Sequence, residues 1–296
     1  MTTLTVDVAN AGVLPLASPA GTICNVATVA KRELRDAIRS RWFLLYTLAF
    51  AALGLGVSWV STAATGGAGL SGFGRTTAGL VNLILLVVPL MALTAGAGSI
   101  ASDRERGMLS YLLAQPVTRT EVLLGKFVGL AGSTLACICL GLGACALILS
   151  ISSGGANAAS ILWLAGLSFL LSLGMLSVGL LISSLARKAS VAVATAIFLW
   201  LTLVFVTDLG LMAGTVAMRL RIEELFAISL LNPLQVFKMW SLFAGESSLD
   251  VLGPAGLYAT EEYGPRLHAV FAACMGAWVA LPLCAAVLVF RRRVPL

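Results

Sequence analysis

Charged residues are scarce in this sequence, and their scarcity narrows the class of protein that it encodes. Only 11% of the 296 residues are charged and 59% are hydrophobic, with a mean hydropathy of +1.00. A soluble domain carries roughly a quarter charged residues. The surplus apolar surface requires lipid around it, and each membrane-spanning helix needs about 20 apolar residues. The composition therefore predicts an integral membrane protein.

Catalytic motifs are missing as well. The single histidine excludes a histidine cluster and leaves no basis for a Ser/His/Asp arrangement. The H-E-x-x-H pattern does not occur, and the phosphate-binding pattern G-x-x-x-x-G-K-[ST] fails because Phe127 follows Gly125 and Lys126. We therefore expect no enzyme activity and no directly bound cofactor. If ATP drives this protein, an ATPase on another chain must hydrolyse it.

The six cysteines provide no disulfide framework and no metal site. Cys137 and Cys139 are two positions apart in an apolar run, so on a helix they point in nearly opposite directions. Buried cysteine usually behaves as a small hydrophobe, and a structural disulfide framework is not expected. Soft metals require Cys, Met or His clustered in space. The pairing of His268 with Met275, two turns later, is too weak to predict one.

Six apolar runs are long enough to cross a membrane. Lipid offers no partner for open backbone groups, so each run is predicted to be a helix. The sequence therefore predicts an all-α integral membrane fold with six transmembrane helices. Only three residues, which include Arg187 and Lys188, separate the fourth run from the fifth, which predicts a tight antiparallel hairpin. The runs cover approximately residues 42–60, 78–100, 122–151, 160–186, 190–214 and 267–290.

The positions of the lysines and arginines predict the orientation. Most of the 19 lie on one side of the predicted spans, which the positive-inside rule assigns to the cytoplasm. Both termini and residues 101–126 are then cytoplasmic, in a multi-pass protein of the cell (inner) membrane. Because topology explains the basic excess, nucleic-acid binding is not expected. The residues on this side are Lys31, Arg32, Arg35, Arg39, Arg41, Arg104, Arg106, Arg119, Lys126, Arg187, Lys188, Arg291, Arg292 and Arg293.

The chain before the first span has two predicted parts. Residues 1–25 lack the basic start of a signal peptide, and Pro15 and Pro19 interrupt their apolar residues, which predicts a flexible extension. Residues 26–41 place apolar side chains at helical spacing with charges opposite, which predicts a helix at the interface with the membrane lipids. This helix either anchors the first span or also borders a cytoplasmic partner. Residues 26–296 form one predicted permease domain.

The fifth span and the loop after it pose two further alternatives. Residues 215–265 contain two apolar stretches separated at Asn232 and Pro233, which predicts two short amphipathic helices against the outer membrane face. They serve either as interfacial packing or as a docking surface for an extracytoplasmic partner. Asp208 is an acid inside a predicted span, where an ionisable residue is costly and by default a functional candidate. A structural role and a transport role both fit it.

The polar segment, residues 101–126, lies between the second and third spans. Asp103, with the serine before it, predicts the N-cap of a helix that ends before Pro116. Thr118 and Glu121 form a capping-box pattern that predicts the start of the next helix. The expected form is therefore helix, proline turn, helix. Its apolar face must cover either the cytoplasmic surface of the bundle itself or a groove on a partner.

These segments resemble the permeases of type-2 ABC transporters. The resemblance covers nearly the whole chain after the N-terminal extension. It implies a homodimer in which the loop between spans two and three is the coupling helix that docks on a cytoplasmic ATPase subunit. The matching residues are Glu33, Glu105, Gly107, Leu112, Pro116, Arg119, Gly125 and Lys126, and the implied coupling residues are Asp103, Glu105, Arg106, Gly107, Pro116 and Arg119.

Within that class the sequence is similar to the NosY type. The similarity lies in LLGKF at 123–127, FVTDL around Asp208 and LLNPLQVFKM at 230–239. It implies a periplasmic β-helical partner facing residues 215–265, and a role in copper-site maturation of nitrous-oxide reductase. The extension at residues 1–25 departs from the family's usual short start. The alternatives are a generic type-2 exporter of a lipid, drug or polysaccharide, and a stand-alone proton-coupled carrier that uses Asp208.

Overall fold

The fold is built from helices, and no other regular element except one 3-10 turn occurs in the described chain. The computed structural model describes residues 19–65, 70–115, 117–153, 158–216, 222–244 and 264–293. The α-helices are α1 (Pro19–Arg39), α2 (Arg41–Thr65), α3 (Leu70–Glu105), α4 (Met108–Leu113), α5 (Arg119–Ser153), α6 (Ala158–Leu185), α7 (Ala189–Val216), α8 (Ile222–Leu230), α9 (Pro233–Ala244) and α10 (Leu267–Arg293).

The long helices confirm the predicted all-α membrane fold. Helices α2, α3, α5, α6, α7 and α10 coincide with the six predicted runs, and four of them are individually long and apolar enough to span. Helix α2 meets the same criterion together with α1, across a bend of 64°. The apolar part described for α7, Ala189–Phe205, is shorter. The chain is therefore a multi-pass membrane protein.

Helices α3 and α6 form the centre of the bundle. They approach so closely that a Cβ added at Gly96 would lie 2.8 Å from the Leu176 carbonyl oxygen, so only glycine fits there. Helices α2 and α7 pack on α3, whereas α10 packs on α6. A short turn joins α6 to α7, as predicted. Each of them nevertheless packs more extensively on α3 than on the other.

The first helix begins earlier than predicted. It starts at Pro19 rather than Val26, so the extension predicted over residues 1–25 is too long; of those residues, 1–18 lie outside the described chain. Proline is well suited to the first position of a helix, since its missing N–H has no intrahelical partner there and its φ already fits. Reading Pro19 only as an interruption caused the error.

Helix α1 packs along the start of α5. A Cβ added at Gly129 would lie 2.5 Å from the Ala30 carbonyl oxygen and 2.7 Å from Cβ of Glu33. The absence of a side chain at Gly129 therefore lets the two backbones meet. The helix packs mainly on α5, the third predicted span, rather than on the first, so its predicted role as an anchor of the first span stays a prediction. Lys31 and Arg35 are exposed on this helix, and its predicted contact with a cytoplasmic partner stays a prediction.

The two short helices after α7 exist, but the predicted placement of α9 is wrong. The chain bends by 110° between α8 and α9. Helix α9 packs among α3, α6, α7 and α10 instead of lying on the outer membrane face, and Val236, Phe237 and Met239 are buried. Apolar residues lie on most faces of α9, so it requires burial all round rather than along one stripe. Residues 245–263 of the predicted loop lie outside the described chain.

Candidate functional site: the basic end of the bundle

The candidate site lies at the basic end of the bundle, where α3, α6 and α10 end and α5 and α7 begin. Helix α3 does not stop at the predicted second-span boundary but runs on to Glu105. The turn that follows α3 contains Gly107, whose φ of 72° belongs to the left-handed region that favours glycine. The prediction that Asp103 caps the start of a new helix is therefore wrong, because Asp103 lies within the last turns of α3.

Helix α4 is the short element that projects from this end. Leu109 and Leu112 are buried, and Leu109 packs in a cluster with Ile100, at the end of α3, and Phe290, near the end of α10. The apolar face of the polar segment thus covers the bundle itself, one of the two predicted alternatives. Met108 and Tyr111 of the same helix are exposed, Tyr111 to 65%. Pro116, the predicted turn residue, lies outside the described chain.

The predicted capping box at the start of α5 is confirmed. The backbone N–H of Thr118 donates to Oε2 of Glu121 at 2.9 Å, and the N–H of Glu121 donates to Oγ1 of Thr118 at 3.3 Å. Glu121 is buried, and Nδ2 of Asn25 in α1 donates to the same Oε2 at 3.2 Å. One carboxylate therefore fixes both the start of α5 and its contact with α1.

Lys126 joins three helices at a buried position that sequence reasoning did not identify as an ion-pair centre. Its side chain is 1% exposed, and its Nζ lies 2.7 Å from Oδ2 of Asp103 in α3. The same Nζ pairs with Oε1 of Glu33 in α1. A lysine this deeply buried requires charged partners. The available signal was the position of Lys126 about two turns inside an apolar helix, together with an acid in each neighbouring segment.

Arg104 and Glu105 hold the turn between α6 and α7. The guanidinium of Arg104 donates to the Ala186 carbonyl oxygen, and its Nη2 lies 3.5 Å from the Ser184 carbonyl oxygen. The N–H of Ala189, the first residue of α7, donates to Oε2 of Glu105 at 3.2 Å. A cation thus occupies the C-terminus of one helix and an anion the N-terminus of the next, the arrangement that helix dipoles favour.

Arg119 makes a comparable contact with the last helix. Its Nη1 donates to the Arg291 carbonyl oxygen of α10 at 3.0 Å. The structure therefore brings the predicted coupling residues Asp103, Glu105 and Arg119 together at one end, but it also engages each of them within the chain. Arg106 is exposed beside Gly107.

Comparison with known proteins decides the family. The sequence model described as "ABC-2 family transporter protein" matches residues 27–293. The chain belongs to the ABC-2 transporter family. A Stutzerimonas stutzeri protein named "Probable ABC transporter permease protein NosY" is 32% identical over 274 residues, which cover 90% of this permease and 98% of the relative. The protein of the same name from Pseudomonas aeruginosa is 32% identical over 278 residues, with the same coverage. The predicted NosY-like resemblance is confirmed.

The end of the permease opposite the basic end holds the single histidine in an aromatic cluster. Nε1 of Trp240 donates to Nδ1 of His268 at 2.9 Å, and the ring of Phe243 lies 4.8 Å from the imidazole. Within the described chain, no group of three His, Cys, Asp or Glu residues could hold a metal ion. Asp208 lies in α7, but its side chain is outside the described part, so both roles predicted for it stay open.

Proposed function

We propose that this permease couples ATP hydrolysis by a separate cytoplasmic ATPase subunit to transport or mechanical action across the membrane. It acts as a homodimer with its basic end in the cytoplasm. The observation that carries the proposal is α4, a short helix that projects from the basic end with one face buried on the bundle and the other exposed. A helix that is packed firmly on the bundle and exposes other side chains can transmit a displacement of its partner without refolding.

The proposed ATPase contact surface contains fewer residues than the predicted set of coupling residues. Asp103, Glu105 and Arg119 bind other parts of the same chain, so their charges position the segment. The exposed residues Arg106, Met108 and Tyr111 remain for the ATPase. Aromatic residues, methionine and arginine are the side chains enriched at protein interfaces. Gly107, at a φ of 72°, sets the direction in which α4 projects.

The proposed orientation of the permease in the membrane follows from the positions of its basic residues. The helix ends that lie together at the basic end of the bundle carry Arg104, Arg119, Arg187, Lys188 and Arg291. Cytoplasmic ends of membrane proteins carry an excess of such residues. The α8–α9 elbow, the 110° junction at Leu231 and Asn232, then lies toward the periplasm, where residues 215–265 face a periplasmic β-helical partner.

The physiological role proposed is copper-site maturation of nitrous-oxide reductase. It is supported by the similarity to relatives named NosY along nearly the whole chain. Deleting the gene is expected to leave nitrous-oxide reductase without its full copper complement, measured by elemental analysis of the purified enzyme. Restoring the wild-type gene in trans is the control. Normal copper content in the deletion strain would reject this role while leaving ATPase coupling untouched.

Co-purification with the ATPase subunit tests the coupling surface. We expect Tyr111→Ala and Arg106→Gln to reduce the amount of ATPase that co-purifies with the tagged permease. Leu162→Ala is the control, since Leu162 is 75% exposed but lies near the start of α6, at the opposite end of the bundle. Unchanged co-purification of both α4-region variants would remove the assigned contact surface.

A further inference from the structure

The last residues of α3 are fastened to the end of α6 by buried bonds. The N–H groups of Ile100 and Ala101 donate to Oγ of Ser183 at 3.0 and 2.9 Å. Four residues later Arg104 reaches the final carbonyls of α6, as described above. Together with the close approach of the two backbones at Gly96, these bonds join the end of α3 and the end of α6 into one unit.

Helix α7 starts from that same unit. Its first N–H, on Ala189, donates to Glu105, and α7 also packs along α3. A movement of the α3 terminus that carries Glu105 therefore carries the start of α7 with it. Only three residues, 186–188, lie between α6 and α7, so the turn has little slack to absorb such a movement.

The middle of α7 contacts the α8–α9 elbow. Nδ2 of Asn232 donates to the Leu203 carbonyl oxygen of α7 at 2.8 Å, while Oδ1 of Asn232 accepts from the N–H of Leu234 at 3.0 Å. One buried amide thus joins α7 to the start of α9. From Ala189 to Leu203 the helix spans about 21 Å at 1.5 Å per residue. The first half of α7 therefore links the basic end to the elbow.

We propose that Arg104 and Glu105 are positioning residues that clamp the α6–α7 turn, so that α7 passes displacement of α4 to the elbow at Asn232. This role rests on the proposed ATPase coupling and adds the route through the permease. The two charges do not contact the ATPase. Because they directly precede α4 in the chain and bind the α6–α7 turn, a movement of α4 also moves α7. The side chain of Asn232, which joins α7 to the start of α9, then moves α9.

The test uses the full permease–ATPase complex with a reporter at the elbow. Leu231, beside Asn232, is 73% exposed, so Leu231→Cys accepts a maleimide once the exposed native Cys24, Cys139 and Cys284 are replaced by serine. The labelling rate is measured with and without ATP plus vanadate. In the otherwise unaltered complex we expect the rate to change when nucleotide is trapped.

Clamp variants and docking variants should fail in opposite ways. Glu105→Ala and Arg104→Met are expected to keep ATPase binding and hydrolysis but to lose the nucleotide-dependent change at Leu231→Cys. Glu105→Gln keeps an oxygen acceptor for Ala189 and should retain part of the change. Arg106→Gln, the neighbouring control, should bind less ATPase yet show the full change in each complex that forms.

An insertion in the α6–α7 turn tests the same proposal if Glu105→Ala does not fold. Two glycines placed between Arg187 and Lys188, both exposed, lengthen the turn without removing a side chain. The same loss of the labelling change is expected. A full change in the clamp variants or the insertion, with ATPase bound and active, would overturn the clamp. An unaltered permease that binds no ATPase would instead refute the coupling function itself.

Discussion

Nζ of Lys126 lies 2.7 Å from Oδ2 of Asp103, and the two residues bring α5 and the end of α3 together beside α1. Glu33 of α1 completes the group. The polar segment is thus held at its base by a buried cation between two carboxylates. This makes the segment a fixed part of the bundle, and it predicts how the bundle responds when the cation is removed.

Lys126→Met is expected to destabilise the permease because Asp103 and Glu33 lose their shared cation while remaining close together. The loss should be about 3 kcal/mol, the low end for a broken buried pair, since both carboxylates are partly exposed. The thermal midpoint of the purified protein in detergent measures it. The variant Glu33→Gln/Asp103→Asn/Lys126→Met should recover much of the loss, and a Lys126→Met midpoint equal to wild type would contradict the ion-pair role.

Thr118→Ala should weaken the start of α5. It removes the hydroxyl that accepts from the Glu121 N–H, and the usual cost of losing such a cap is about 1 kcal/mol. Thr120→Ala, which leaves both capping bonds in place, is the matched control. Chemical denaturation followed by far-UV circular dichroism compares the two variants. Equal stabilities would mean that burial of Glu121, rather than its cap, sets the helix start.

Gly129→Ala should separate α1 from α5. The added Cβ would lie 2.5 Å from the Ala30 carbonyl oxygen, and backbone cannot move aside as a flexible side chain can. A lowered thermal midpoint is expected. Gly143→Ala lies on the same helix with no atom within 4 Å of its added Cβ, so higher helix propensity should raise stability by up to about 1 kcal/mol. A fall in both variants would show that glycine is required along α5 for another reason.

Gly107→Ala should strain the turn that directs α4. At a φ of 72° a side chain costs roughly 1–2 kcal/mol, and relief of that strain would redirect α4. We expect less ATPase to co-purify with this variant. Gly107→Asn should retain more binding, because asparagine tolerates the left-handed region better than alanine. If alanine and asparagine behave alike, the backbone conformation at Gly107 does not set the docking geometry.

Local features of the site were predictable where a few neighbouring residues suffice. The capping box of Thr118 and Glu121 involves residues three apart, so it could be read directly and is observed. Asp103 was misassigned by the same local reasoning. Its carboxylate suits an N-cap, but its partner Lys126 lies on another helix. Pro19 was likewise read as a break, although its position decides whether proline ends a helix or begins one.

The sequence by itself determined that this chain is a multi-pass membrane protein built from long apolar helices, and it predicted that the basic residues collect at one end. Those properties follow from composition and from charge placed along the chain. Only the tertiary structure decided what the charges do. Lys126 and Glu33 are 93 residues apart, and Arg119 and Arg291 are 172 apart. Any of these side chains could face lipid headgroups, the ATPase or another helix end, and helix packing selects among them.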